Sequence, residues 1–578
     1  MTFIQLPPLL LALTLCVLAA CTTQPGDAIH TPARATAAAP DFGPTVIIAD
    51  PATPNLQQRI NEIFAAQEKA QFGDGRYAIL FKPGNYNLDI PVGFYTQVAG
   101  LGGSPDDVHI NGAVRSNPFL ANRNATCNFW RCIENLSITP SATGGTNVWA
   151  VSQGAWLRRV HIKGNLALSD GGWSSGGYLA DSRIDGHVDS GSQQQWFSRN
   201  ADWGTWKGAN WNMVFVGVIH PPAGAWPDKP YTVIDATPVI REKPYLCFEQ
   251  GQYVVKVHAT NVAPSRGLTW DAAKPATLPI DRFYIARADR DTAATLNAAL
   301  ETGKHLLLTP GIYHLDAALN VTRPDTIVLG LGYATLAPTG TSAALQVADV
   351  GGVTIAGILF EGSEAGTASL VTIGEPGAKA SHASNPTVIA DITCRTGGPR
   401  PGRAECMLTI NSNNVIIDHA WLWRADHGEG AKWDVNTTRN GLIVNGSDVT
   451  SYGLFVEHQH EYQTIWNGNG GRVYFYQSEM PYDPPSAAAW SHGNTTGYAS
   501  YKVSDAVTTH EAWGLGVYSY FRDAAIVADT AIEVPEVPGV KMHHMVTIRL
   551  NGLENSGIAH VINDRGEPVI HARKAVVD

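Results

Sequence analysis

Apolar residues in this chain fall in short runs, often alternating with polar ones, and the runs are broken by Gly, Asn and Asp. Examples are VWAVSQ, LRRVHIKG, NVIIDHAWLW, GLIVNG, YGLFVEH and RVYFYQSE. Alternation of this length predicts strands rather than helices. The clearest helical exception is Leu56 to Ala70. Short strands recurring every ~20–30 residues, with residues suited to sharp turns between them, predict the coils of a parallel β-helix. A pair of β-sandwiches would need hairpin turns of the NG or DG type between most strands, and few are present.

One pattern occurs twice. Residues 75–103 read GRYAILFKPGNYNLDIPVGFYTQVAGLGG, and residues 303–333 read GKHLLLTPGIYHLDAALNVTRPDTIVLGLGY. Each runs through Gly, a basic residue, an apolar strand, Pro-Gly-x-Tyr-x-Leu-Asp, a second strand and Gly-Leu-Gly. Pro83 and Pro310 stand 227 residues apart. A fixed offset with matching flanks predicts a tandem domain duplication. The expected division is an N-terminal solenoid over 43–260, a Pro- and Ala-rich linker over 261–284, and a C-terminal solenoid over 285–578. Two such bodies side by side would leave a groove, a common place for a ligand.

The first 42 residues follow other rules. Leu9 to Ala20 is apolar but short for a membrane span. It ends in Leu18-Ala19-Ala20-Cys21, which looks like a bacterial lipoprotein signal. The expectation is a signal peptide over 1–20, lipidation at Cys21, and a flexible Ala-, Thr- and Pro-rich tether over 21–42. The protein would then be exported and anchored at the cell envelope, touching membrane only through its lipid. Thr22 after Cys21 favours the outer membrane in a Gram-negative host.

Composition narrows the function. A net charge of −11 with no Lys or Arg run argues against nucleic acid or anionic lipid as the main partner. With 57 Gly and 16 Trp, the chain suits a turn-rich β protein that handles carbohydrate. Beyond Cys16 and Cys21, five cysteines remain, and the close pairs Cys127/Cys132 and Cys394/Cys406 are disulfide candidates, with Cys247 left as a buried thiol. No zinc spacing, phosphate loop, nucleophile elbow or HExxH is present, and no cofactor is implied.

Three acids concentrate the chemistry: Asp426 in WLWRADHGEG, Glu457 in LFVEHQHEY and Glu479 in FYQSEMPYDPP. Their separations, 31 and 22 residues, are about one coil each, so they can stack on one face. Trp421, Trp423, Trp433, Trp466, Tyr476 and Tyr482 lie in the same segments, with His458 beside Glu457. Aromatic faces for sugar C–H groups and carboxylates for hydroxyls are what a glycan site needs. A carboxyl among aromatics and other acids has a raised pKa and can protonate a glycosidic oxygen. Any one of these acids alone would more simply cap a turn or pair with Arg424 or Arg472. The first half adds neutral polar groups in WAVSQGAWLRRVHI, GGWSSGGYLADSRI and GSQQQWFSRNADWGTW, where Gln153, Ser175 and Gln194 are candidates to hold a water and Trp203 to meet a sugar.

Taken together, WAVSQGAWLRRV, GSQQQWFSRN, the Pro-Gly-x-Tyr pair, VEHQHEYQTIWNGNGG and YFYQSEMPYDPP resemble glycoside hydrolase family 55, the β-1,3-glucanases or laminarinases, and its bacterial branch in particular. The resemblance covers almost all of the chain after residue 42. It implies two tandem right-handed parallel β-helices enclosing a cleft, and exo-type hydrolysis of β-1,3-glucan with inversion. It implies Glu479 as general acid, with Glu457 and Asp426 lining the same pocket. It also implies a nucleophilic water held by Gln153 and Ser175, with a further amide from the run Gln193 to Gln195, assigned to Gln194. Trp423, Trp433, Trp466, Tyr482, His458 and Trp203 are the expected sugar contacts, and a monomer is the simplest state. Two other functions suit the scaffold: a polysaccharide lyase, needing a base such as Arg424 or Arg472, and a glycan-binding protein without catalysis.

Overall fold

The computed structural model describes residues 40–270 and 274–578. The predicted signal peptide, the lipidation at Cys21 and the tether up to residue 39 lie outside the described residues. Residues 41–578 form one compact unit built from two parallel β-helices.

In the first, the strands Val46–Ala49, Tyr77–Phe81, Thr96–Gly100, Arg131–Thr139, Trp156–Ile162, Tyr178–Ala180, Gln195–Arg199, Asn212–Val216 and Tyr231–Ile234 stack in register, each parallel to the next. A three-stranded antiparallel sheet follows, Tyr245–Glu249, Gln252–Val257 and Ala276–Pro279. The second solenoid begins at Phe283–Ala286 and carries one 14-stranded and one nine-stranded sheet. Consecutive rungs of its larger sheet include Ile416–Arg424, Thr450–Glu457, Gly471–Glu479 and His510–Ser519.

The duplicated motif does the same work in both halves. Tyr86 donates its hydroxyl hydrogen toward the carbonyls of Ala49 (3.2 Å) and Lys82 (2.7 Å). Tyr313 donates toward Ala286 and Thr309, both at 2.9 Å. Each phenol thus ties the Pro-Gly turn to the end of the preceding strand, inside the wall. The helices Leu56–Gln67 and Ala293–Glu301 precede the two motifs in equivalent places.

Each solenoid has its own apolar interior, and a third apolar layer joins them. Trp130, Trp156, Tyr178 and Phe197 of the first half meet Trp421, Trp423, Phe455 and Phe475 of the second in that layer. It is aromatic because flat rings fill the space between two sheet faces while burying large areas.

The five cysteines are free thiols, so the two expected disulfides are absent. Cys394 and Cys406 sit on different sheets of the second interior, where burial pushes the Cys394 thiol well up and the Cys406 thiol up to about 11. Cys132 is buried in a strand, whereas Cys127 lies in the loop before it and faces a cavity.

Candidate active site

A cavity of about 520 Å³ opens between the two solenoids. Its size is within the usual range for small-molecule sites. Glu479, Glu457, Asp426, Gln153, Ser175, Gln194, Trp423, Tyr482 and His458 all line it. The two halves therefore bring nine of the sequence-selected residues together.

The acids come from one edge of the larger sheet of the second solenoid. Trp423, Glu457, Glu479 and Tyr518 hold equivalent register positions on four successive rungs. Neighbouring rungs are about 4.8 Å apart, so Glu457 and Glu479 are adjacent. Each glutamate is the last residue of its strand. His458 leaves the first at φ 70°, and Met480-Pro481 ends the second. Asp426 lies off this ladder, in the turn after Ile416–Arg424, and reaches the cavity from there.

Glu457 has both oxygens occupied. Gln153 Nε2 donates to Oε1 and Trp421 Nε1 to Oε2, each at 2.8 Å. Burial still pushes its pKa up to about 7. Glu479 is pushed well above the usual carboxylate range, first by burial and then by the charges of Glu457 and Asp426. It accepts a hydrogen bond from Gln477 Nε2 at 3.3 Å and a short one from the Tyr482 hydroxyl. Of the neighbouring pair, Glu479 keeps its proton to higher pH.

Asp426 behaves oppositely. Burial would raise its pKa, but the hydrogen bond and charge of His427, with Nδ1 2.9 Å away, outweigh burial and hold it well below the usual range. Burial would lower the His427 pKa, yet Asp426 carries it up to about 10. Across neutral pH the cavity thus holds a fixed anion at Asp426, an imidazolium beside it, and a protonated acid at Glu479.

The facing wall belongs to the first solenoid. Gln153 and Ser175 come from loops before successive strands, and Gln195 opens the next strand. Gln153 Nε2 and Gln195 Nε2 both donate to Ser175 Oγ, each at 3.3 Å. With both lone pairs engaged, the Ser175 hydroxyl is left to donate. The three adjacent glutamines take three tasks. Gln193 accepts from Gly176 N (2.7 Å) inside the coil, Gln194 lines the cavity, and Gln195 orients Ser175.

Three expected sugar contacts do not reach the cavity. Trp203 packs with Trp206 and Phe215 in the first interior. Trp466 is fully buried in the second interior, where it meets His510. Trp433 is partly buried beside His460 and under the Arg424 guanidinium. The first two point into the coil rather than out of it, an orientation that Trp content alone does not reveal. Arg424, the candidate lyase base, is buried and held by both oxygens of Asp483 at 2.8 and 2.9 Å. Arg472 lies exposed near the start of its strand, at the far end from Glu479. Among the described residues, no group of three or more His, Cys, Asp or Glu side chains could hold a metal ion.

Sequence reading missed several residues that line the cavity or support its acids. Gln477 lies two positions before Glu479 and so shares its face of the strand, a signal that period-2 reasoning could have used. Trp421, named among the aromatics of these segments, relates to Trp423 in the same way and supports Glu457. Phe129, Trp173, Trp211, Tyr520, Asn551 and Arg573 converge from distant coils and carry no local signal.

Comparisons with known proteins agree with this architecture. The family model of the LAM55 pectate lyase-like domain matches residues 283–479. An exo-beta-1,3-glucanase from Streptomyces sp. (strain SirexAA-E / ActE) is 47% identical over 534 residues, covering 91% of this chain and 87% of that protein. The solved structure of sacteLam55A from Streptomyces sp. SirexAA-E aligns with a TM-score of 0.90 at 45% identity, covering 93% of this chain and 98% of that one. A second structure, a Glu-to-Ala variant of sacteLam55A in complex with glucose, aligns equally well.

Proposed function

The chain belongs to glycoside hydrolase family 55, the exo-β-1,3-glucanases, and from that premise we propose that it hydrolyses laminarin-type β-1,3-glucan from chain ends with inversion, using Glu479 as general acid. Glu479 gives its proton to the glycosidic oxygen as the bond from that oxygen to the anomeric carbon breaks. A water on the opposite side, accepting from the Ser175 hydroxyl and donating to the Gln153 carbonyl, forms the new bond to that carbon and releases its proton to solvent. Ionised Glu457 and Asp426 stabilise the oxocarbenium character that develops between these events.

The observation that carries this reading is the unequal treatment of two adjacent glutamates. Glu457 has each oxygen bound by an N–H, which suits a fixed charge better than a nucleophile. Glu479 retains the proton a leaving group needs. A retaining mechanism would require a free carboxylate to form a glycosyl-enzyme.

The test uses soluble protein starting after Cys21, incubated with laminarin and followed by proton NMR. The expected first product is the α-anomer. Glu479→Gln should keep its fold and lose about 10²–10⁴-fold in rate. Near-normal hydrolysis by that variant, or early β-anomer from the wild type, would overturn the assignment.

We also propose export and envelope anchoring through a lipid on Cys21. Radiolabelled palmitate should enter the wild-type protein in a bacterial host and be absent from Cys21→Ser.

A further inference from the structure

The strand that ends at Glu479 does not lead directly into the next coil. The chain first makes an excursion through Pro484-Pro485, a 3-10 turn at Ala488–Trp490, and a small antiparallel hairpin pairing Ser491–His492 with Thr495–Thr496. Within the second solenoid, the only other antiparallel pairing between named strands among the described residues is the closing strand Lys574–Val577 on Val540–Arg549. Trp490 anchors the excursion. It is buried, and its Nε1 donates to His460 O at 2.8 Å. Gly497 closes the hairpin onto it, with its N–H donating to Trp490 O at 2.7 Å. Gly497 sits at φ 79°, and a Cβ there would come within 2.8 Å of the indole, so the turn requires glycine.

The hairpin and the strand Val527–Glu533 of the nine-stranded sheet enclose a second cavity, of about 200 Å³. Its aromatic wall is Tyr498 stacked on His492, with ring centroids 4.5 Å apart at 23°. Tyr462 meets Tyr498 edge-on at 5.3 Å behind them. The opposite wall carries Asp529, which is exposed and has no hydrogen-bond or ion-pair partner among the described residues. The Thr495 and Thr496 hydroxyls at the rim are likewise uncommitted. His492 Nδ1 is buried without a partner, although buried ring nitrogens are normally satisfied. Glu533 is already neutralised by Lys502.

A ring face, a free carboxylate and two free hydroxyls around a space of this size match one pyranose. Its C–H face would lie on Tyr498 and its hydroxyls would meet Asp529 and the threonines. The same groups do not form a metal site. We propose that this cavity is a second, non-catalytic glucan-binding site, which holds a distant part of the polymer while its end occupies the catalytic cavity. This rests on the β-1,3-glucan reading of the Glu479 site. Its benefit is multivalent: one attachment raises the local concentration of chain ends at the other.

The experiment compares wild type, Tyr498→Ala, Asp529→Ala and Tyr498→Phe in two assays. One is electrophoretic retardation in gels containing laminarin, and the other is kcat/KM on laminaritriose, too short to span both sites. The expected result is laminaritriose turnover within about twofold of wild type for all variants. Retardation and the rate on long laminarin should weaken about tenfold in the two alanine variants, with Tyr498→Phe retaining both because the ring remains. Unchanged retardation in Tyr498→Ala and Asp529→Ala, with laminaritriose cleaved normally, would overturn the second site and leave the catalytic reading intact. Retardation lost in the alanine variants of a protein whose wild type does not cleave laminaritriose would overturn the catalytic reading and leave the site standing.

Discussion

At the scale of single residues, the chemistry depends on how burial and charge decide which of three acids keeps its proton. The Glu479 pKa is raised by burial first, then by the negative charges of Glu457 and Asp426. The acid form of Glu479 is present below that raised pKa and lost as pH climbs through it, so kcat/KM should fall on the alkaline side. Glu457→Gln removes one of the two charges that hold the proton on Glu479. The alkaline limb should therefore move to lower pH as well as the rate falling, and a kcat/KM profile against pH would register both. A limb that stayed in place would mean that Glu457 does not sense Glu479. The acids were legible in the sequence because charged residues are rare inside apolar strands. Gln195 was not, since three consecutive glutamines look alike until a backbone assigns each to a face. Trp203 and Trp466 misled for a related reason: a tryptophan serves a coil interior as readily as a sugar.

At the scale of the element, the coils are aligned by stacked asparagines at one corner. Asn467 Nδ2 donates to Asn445 Oδ1, and Asn445 Nδ2 donates to Asn411 Oδ1, both at 2.8 Å, across chain separations of 22 and 34 residues. Asn411 Nδ2 ends the row on Gly374 O at 2.8 Å. An amide suits this place because it donates upward and accepts downward at once. Asn445→Ala breaks both links, one exposed and one half-buried. The cost should be about 1–3 kcal/mol, read as a lower midpoint in denaturant unfolding. Turn-forming Asn and Gly were visible as punctuation in NSNN, VNGSD and WNGNGG. Their vertical alignment was not, because coil length varies and no fixed period marks the row.

At the scale of the whole molecule, the halves are joined by buried charge as well as by aromatic packing. Arg158 bonds both oxygens of Asp391 at 2.8 and 3.0 Å and reaches Asp418 at 2.9 Å. Arg199 holds Asp418 at 2.8 and 2.9 Å and Glu242 at 2.6 and 2.8 Å. Burial would raise the Glu242 pKa, but Arg199 and then Arg158 bring it down to about 2. Its stabilising contribution is therefore complete above the usual glutamate value of about 4.5 and is lost as pH falls toward 2. Asp418→Asn leaves two buried guanidiniums short of charge. The loss should be about 3–5 kcal/mol and should appear as a lower thermal midpoint at neutral pH. The duplication was readable from the Pro-Gly-x-Tyr pair, whose tyrosines fill equivalent places. The docking of the halves was not, because Asp418 lies in NVIIDHAWLW as one acid in an apolar strand, and its partner arrives from 219 residues upstream.

The hydrogen bond from Gln153 to Glu457 crosses 304 residues, and Leu550, Asn551 and Arg573 complete the same cavity wall. A ribosome must therefore deliver nearly the whole polypeptide before the site exists. During synthesis the growing chain carries all the acids of a hydrolase without the ability to cut anything, and competence arrives with the last coil.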